Sequence, residues 1–260
     1  MSETAPPWAL VTGASGGLGV ELARGLAARR INLVLVARRE APMRELAADL
    51  EGSYGVRIVV EVLALAQPGS ALSLQQRLER QAIEPEILIN NAGCGIGGLF
   101  VEQDAERLRA MLQLDIVTLT ELALVFGRRM AARGSGFILL VGSTAAYQPT
   151  PITAAYGAAK AFVLSLGEAL HVELAPRVGV TVLSPGLMDT GFAAVSGYEP
   201  PASVRRTILS PERVAHIGLE ALFAHKSSVV AGGLNKMLAF CSRLMSRHLQ
   251  AKLVFRATRA

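Results

Sequence analysis

After Glu220 this 260-residue chain contains no aspartate or glutamate, yet seven basic residues follow: Lys226, Lys236, Arg243, Arg247, Lys252, Arg256 and Arg259. The first 220 residues hold 19 basic and 21 acidic side chains, so the formal net charge of +5 belongs to the tail. That distribution argues against a nucleic-acid-binding body. Cysteine is scarce as well: Cys94 and Cys241 have neither metal-ligand nor disulfide-framework spacing. His171, His216, His225 and His248 form no metal-binding pattern, and no metal is expected. No run reaches 18 uninterrupted apolar residues, which argues against a membrane-spanning helix. The N-terminus, MSETAPPWALVTG, lacks a basic region followed by an apolar stretch, so a reduced, cytoplasmic protein is expected.

What is present is apolar and regularly alternating. Hydrophobic residues make up 51% and charged residues 18%, the balance of a well-buried core rather than of a disordered chain. WALVTG, INLVLVAR, RIVVEVLAL, EILINNAG, GFILLVGS, VGVTVLSPG and SSVVAGG read as seven strands without strict polar alternation, which suits strands covered on both faces. Between them lie candidate helices at 17–30, 41–51, 69–82, 104–133, 153–175 and 211–224, with ARGSG ending the fourth and Pro176 the fifth. This order predicts an α/β fold, a single doubly wound parallel sheet of the Rossmann type with helices on both faces. No repeat, low-complexity tract or linker splits it. The expected organisation is one domain over 1–233, with 234–260 as its basic, amphipathic C-terminal extension.

The first strand runs into TGASGGLG at 12–19, whose glycines are spaced as a longer phosphate loop than G-x-G-x-x-G. Absent side chains let the backbone approach a pyrophosphate, and the following helix offers free N–H groups. Gly13, Ser15, Gly16, Gly17, Leu18 and Gly19 are the candidate contacts. A tight strand–helix turn would explain glycines too, but their place after the first strand favours a dinucleotide site. The second strand ends LVARRE, so Ala37 stands where an NAD-preferring site places an acid, and Arg38 and Arg39 follow. A guanidinium can grip a 2′-phosphate bidentately, so NADP(H) is expected over NAD(H).

In AAYGAAKAF, residues 154–162, Tyr156 and Lys160 stand four apart and share one helical face. Alone, such a pair is common and reads first as a packed tyrosine beside a solvated lysine. The ordered set TGASGGLG, NNAG at 90–93, Ser143, Tyr156-x-x-x-Lys160 thirteen residues on, and PGLMDT at 185–190 resembles the short-chain dehydrogenase/reductase family over nearly the whole chain. Within it the chain looks most like NADP-preferring reductases of acyl or steroid type.

The resemblance implies Tyr156 as general acid/base, Lys160 lowering its pKa and holding the nicotinamide ribose, and Ser143 binding the substrate oxygen. It further implies Asn90, Ala92 and Gly93 beside the adenosine side, and Pro185, Gly186 and Thr190 around the nicotinamide. Asp115 falls where the family commonly has an Asn in a proton relay. Ala64 or Leu65 replaces a usual adenine-contacting Asp. Residues 188–210, with Phe192 and Tyr198, resemble a lid over an apolar substrate pocket. Cys94 reads as a small filler rather than a nucleophile. The expected activity is NADPH-dependent reduction of an apolar ketone, aldehyde or oxoacyl carbonyl by a homodimer or homotetramer. A weakly catalytic NADP-binding sensor is the alternative, and an extended-type epimerase lacks its C-terminal domain here. On a helical wheel Leu234, Met237, Leu238, Cys241, Met245 and Leu249 share a face opposite Lys236, Arg243 and Arg247. This predicts either packing on protein or peripheral attachment to an anionic membrane.

Overall fold

A computed structural model describes residues 6–188 and 208–259. Seven strands form one sheet: β1 (Trp8–Thr12), β2 (Asn32–Ala37), β3 (Ile58–Val62), β4 (Ile87–Asn90), β5 (Gly136–Val141), β6 (Val178–Ser184) and β7 (Ser228–Val230). Their spatial order is β3-β2-β1-β4-β5-β6-β7 and every pairing is parallel. The expected doubly wound α/β sheet is what is found.

Neighbouring residues along each strand point to opposite faces, so both faces need apolar cover. Ala9 and Val11 of β1, Leu33 and Leu35 of β2, and Ile87 and Ile89 of β4 join one core. That core is completed by α1 (Gly17–Ala27), α2 (Glu40–Tyr54) and α7 (Pro211–Phe223). Leu10, Val34, Val36 and Leu88 point the other way, onto α3 (Ser70–Arg80), α5 (Leu119–Arg133) and α6 (Ala154–Leu174). Phe126 and Met130 of α5 are fully buried there.

The helix expected over 104–133 is divided. Asp104 caps α4 (Ala105–Leu112) by accepting from the Arg107 N–H at 2.8 Å, and a π-helical stretch, Gln113–Thr118, then leads into α5. A π turn widens the helix locally and is common at functional sites. The helical run Ala105–Arg133 is long and apolar enough to cross a membrane by length and composition, although charged residues interrupt it. Its buried Leu119, Leu122, Ala123, Phe126 and Met130 belong to the sheet core. Helix α5 ends at Gly134, whose left-handed conformation returns its N–H to the Met130 carbonyl, and α6 stops at Leu174, before Pro176.

The strand order reverses between β1 and β4, where the connections that follow them leave in opposite directions. Ligands of such sheets bind in the crevice beyond the strand ends at that point. The tail beyond β7 departs from expectation. It is two helices, α8 (Gly233–Cys241) and α9 (Arg247–Arg259), separated by a short 3-10 turn and an extended Met245. The single wheel through residue 249 is therefore broken at 242–246.

Candidate active site

A cleft of about 1010 Å³ opens at the carboxyl ends of β1 and β4. The glycine loop after β1 lies at its nucleotide end, where Gly13, Ser15, Gly16, Gly17, Leu18 and Gly19 all line the wall. Close backbone approach requires these glycines. A Cβ at Gly19 would stand 2.2 Å from the Gly13 carbonyl oxygen, and one at Gly13 would stand 2.7 Å from Asn91 Nδ2. No side chain caps the start of α1 and no acid lies in its first turn, which leaves N–H groups for an anion. This cradle fits a dinucleotide pyrophosphate.

The two arginines after β2 part company. Arg39 Nη2 donates to the Ser15 carbonyl at 2.9 Å and reaches Ser15 Oγ at 3.3 Å, bracing the loop. Arg38 is exposed and lines the cleft beside Ala37. Leu63, Leu65 and Ala66 continue that wall. The Leu65 carbonyl is already engaged, accepting from Thr118 Oγ1 at 2.8 Å and Ser70 Oγ at 3.0 Å.

After β4 the structure shifts one assignment. Asn90 is buried, its amide donating to the Leu119 carbonyl at 2.9 Å, and it does not line the cleft. Its side chain ties β4 to α5. Asn91 takes the cleft position, donating to the Thr12 carbonyl at 2.8 Å, while Thr12 Oγ1 accepts from the N–H groups of Asn91 and Ala92, each at 2.9 Å. Both asparagines stand in the NNAG motif, but only strand register tells which faces inward. Ala92 and Gly93 line the cleft as expected.

At the centre, α6 brings Tyr156 and Lys160 to the same wall, and β5 delivers Ser143 opposite. Tyr156 hydrogen-bonds the Ser143 side chain. The Lys160 ammonium lies 5.6 Å from the centroid of the Tyr156 ring. Its hydrogen bond goes to the Val141 carbonyl at 3.3 Å, and Asp115 Oδ2 stands 3.1 Å away. Asp115 is fully buried in the π-helical stretch, and its Oδ1 accepts from the Cys94 N–H at 2.9 Å. Oδ2 and the Lys160 ammonium thus form a buried ion pair. Gly93 makes room for it: a Cβ there would stand 3.1 Å from Lys160 Nζ and 3.3 Å from either Asp115 oxygen.

These contacts reverse one expectation. Burial raises the Tyr156 phenol above its ordinary pKa and outweighs the opposing pull of Lys160 and the Ser143 hydrogen bond, while Asp115 adds to the rise. The lysine therefore limits the rise rather than producing a net lowering. Burial also pushes up the Asp115 carboxyl, whereas Asp115 keeps Lys160 charged against burial. Burial, then Asp115, raise the Cys94 thiol to about 11, so it stays protonated.

Pro185 and Gly186 line the far end of the cleft; Thr190, Phe192 and Tyr198 fall outside the described residues, as does most of the expected lid. Its flanks meet at a bridge between Met188 and Leu209. The C-terminal helices also form cleft wall, through Leu238, Ala239, Ser242, Val254 and Thr258, a contribution absent from the sequence reading. Among the described residues no group of acidic, His and Cys side chains is arranged to hold a metal.

A family model described as short chain dehydrogenase matches residues 7–199. The very-long-chain 3-oxoacyl-CoA reductase of Phaeosphaeria nodorum is 32% identical over 193 residues, covering 72% of this chain and 57% of that protein. The short-chain dehydrogenase from Sphingobium yanoikuyae, solved in complex with NADPH, superposes with a TM-score of 0.81 at 30% identity, covering 92% of this chain and 93% of the other. The bulky-bulky ketone specific alcohol dehydrogenase from Comamonas testosteroni gives 0.77 at 30% identity, with 93% of each chain covered. The chain spans between 33% and 57% of the length of the first curated relatives it matches. Its glycine loop, its Ser143–Tyr156–Lys160 cluster and this likeness over most of its length agree: the chain belongs to the short-chain dehydrogenase family, oxidoreductases that act on alcohol and carbonyl groups with a nicotinamide cofactor.

Proposed function

We propose that this protein is an NADPH-dependent reductase, reversible as an alcohol dehydrogenase, acting on the carbonyl of an apolar ketone, aldehyde or oxoacyl substrate. The observation that carries the proposal is the convergence of Ser143, Tyr156 and Lys160 in a cleft whose other end is the glycine cradle. The nicotinamide, when bound, supplies the hydride. Ser143 orients the substrate oxygen, and Tyr156 donates its proton to that oxygen. A phenol held above its ordinary pKa is protonated at neutral pH, which suits an acid in the reducing direction. Lys160 steadies the phenolate left behind, and Asp115, acting through Lys160, is a positioning residue.

Preference for NADPH rests on Arg38, because Arg39 is committed to Ser15 and no acid stands at residue 37. The NADPH complex of the Sphingobium protein supports it. The very-long-chain 3-oxoacyl-CoA reductase and the bulky-bulky ketone specific alcohol dehydrogenase among its relatives support an apolar substrate. Val117, Leu124, Phe162 and Val172 are exposed on the π-helical stretch, α5 and α6, which supports a homodimer or homotetramer paired through these elements.

The test is NADPH oxidation with a panel of long-chain and bulky carbonyl compounds. Tyr156→Phe should lower kcat about a hundred- to ten-thousandfold and leave NADPH affinity and melting temperature near wild type. Full activity in that variant would refute the assignment. Tight NADPH binding by the wild type without turnover of any carbonyl compound would favour the sensor.

A further inference from the structure

Helices α8 and α9 are attached to the body by their least hydrophobic side. Asn235, Ala239, Ser242 and Gln250 are the buried positions. Ser242 Oγ donates to the Tyr147 carbonyl of the body at 3.2 Å, while Gln250 Nε2 ties the tail to itself by donating to the Met245 carbonyl at 2.8 Å. A Cβ at Gly186 would stand 2.5 Å from Asn235 Nδ2, so this polar side rests directly on the cleft floor. At 3.6 residues per turn, Leu234, Met237, Phe240 and Cys241 occupy the arc facing away from Asn235 and Ala239, while Leu238 lies at its edge, beside the cleft. All four on the arc are exposed. Leu244, Met245, Leu249 and Leu253 extend the apolar surface, Phe240 being 61% and Leu244 75% exposed.

Among the described residues nothing packs on this apolar face, which leaves it open to a partner. Contiguous apolar surface of this kind marks interaction sites. Charge selects the partner. Lys236, Arg243, Arg247, Lys252 and Arg256 are exposed around the apolar residues, and the chain after Glu220 carries no acid to pair with them. Lys236 flanks the apolar arc rather than lying opposite it. A second copy meeting the same face about a two-fold axis would bring these cations against their own kind. An anionic lipid surface receives both sets: apolar side chains in the acyl boundary, cations among the headgroups.

We infer that α8 and α9 dock the protein on an anionic bilayer, with Met237, Phe240 and Leu244 inserted. Because the same helices wall the cleft through Leu238, Ala239, Ser242, Val254 and Thr258, docking sets the cleft beside the lipid. Taken with the proposed reductase chemistry, on which this clause rests, the substrate class is a carbonyl compound dissolved in the membrane.

The experiment is cosedimentation of the full chain with phosphatidylcholine vesicles containing about a third phosphatidylserine, beside pure phosphatidylcholine. Neither substrate nor cofactor is needed, and Tyr156→Phe should bind as wild type does, so failure of the chemistry and failure of docking are told apart. The wild type should bind the anionic vesicles, less so as salt rises. K236E/R243E/R247E should bind about a hundredfold more weakly. M237S/F240S/L244S should bind at least about tenfold more weakly with an unchanged melting temperature. Absence of wild-type binding, or equal binding to both vesicle types, would overturn the inference. So would a dimer that the serine variant abolishes, which would make a second copy the occupant, or loss of folding in that variant, which would make this face part of the core.

Discussion

In the sheet body, interior positions belong mostly to side chains such as Phe126, Met130 and Leu10, with Glu61, Asp115 and Lys160 the charged exceptions among the described residues. In α8 and α9 the interior positions are Asn235, Ala239, Ser242 and Gln250, and the large apolar groups lie outside. Apolar burial is non-directional and scales with area, so the body's stability is spread over two continuous cores. Hydrogen bonds are directional and individually modest, so the tail's attachment specifies an orientation more than it supplies stability. The two regions meet in the cleft, where a rigid wall from β1, β4, β5 and α6 faces a wall held by a few polar contacts.

Four substitutions can break or sharpen this contrast. Phe126→Ala, in the body, should cost about 3–5 kcal/mol in chemical denaturation. A loss under about 1 kcal/mol would mean the core can collapse around the cavity. Arg38→Ala should weaken NADPH by about 1.5–3 kcal/mol, roughly ten- to hundredfold in Kd, and leave NADH affinity nearly unchanged. Equal losses in a titration of both cofactors would remove the 2′-phosphate role.

Asp115→Asn addresses the buried pair. The groups facing Tyr156 are Lys160 and Ser143, which favour the phenolate, and Asp115 and Cys94, which oppose it. Reduction needs the phenol and fails as pH rises through its pKa. Removing the Asp115 charge should therefore move the alkaline limb of the kcat profile for reduction to lower pH. A limb that moves upward would show instead that Lys160 needs Asp115 to keep its own proton. The smallest effect is expected in the tail: Phe240→Ser should change stability by no more than about 0.5 kcal/mol, despite deleting an aromatic ring. A loss comparable to that of Phe126→Ala would erase the distinction between the regions.

The legible parts of the sequence were those governed by local rules. Seven apolar runs separated by helix-length segments dictate seven parallel strands, and residue type and spacing suffice to place the glycine loop, Tyr156 and Lys160 in one cleft. The less legible parts depend on non-local geometry. Which asparagine of NNAG faces the cleft is a matter of β4 register. The net direction of the Tyr156 shift depends on how deeply the cleft buries it, which spacing does not encode. The π-helical stretch at Gln113–Thr118 and the break at 242–246 interrupt segments that each satisfy a continuous helical wheel. Nor does hydrophobic periodicity reveal that Asn235 and Ser242, rather than the leucines beside them, face the body.

The Asp115–Lys160 pair has a consequence for every catalytic cycle. Its ammonium is drawn out of water and balanced when the chain folds, before any ligand arrives. The centre of the cleft thus holds a preformed carboxyl–ammonium pair, and in the proposed reaction the proton that moves beside it is the phenolic proton of Tyr156. In that reaction the reorganisation that an uncompensated buried cation would demand on each turnover is completed in advance, and resetting the site takes the return of that proton and exchange of the spent nicotinamide.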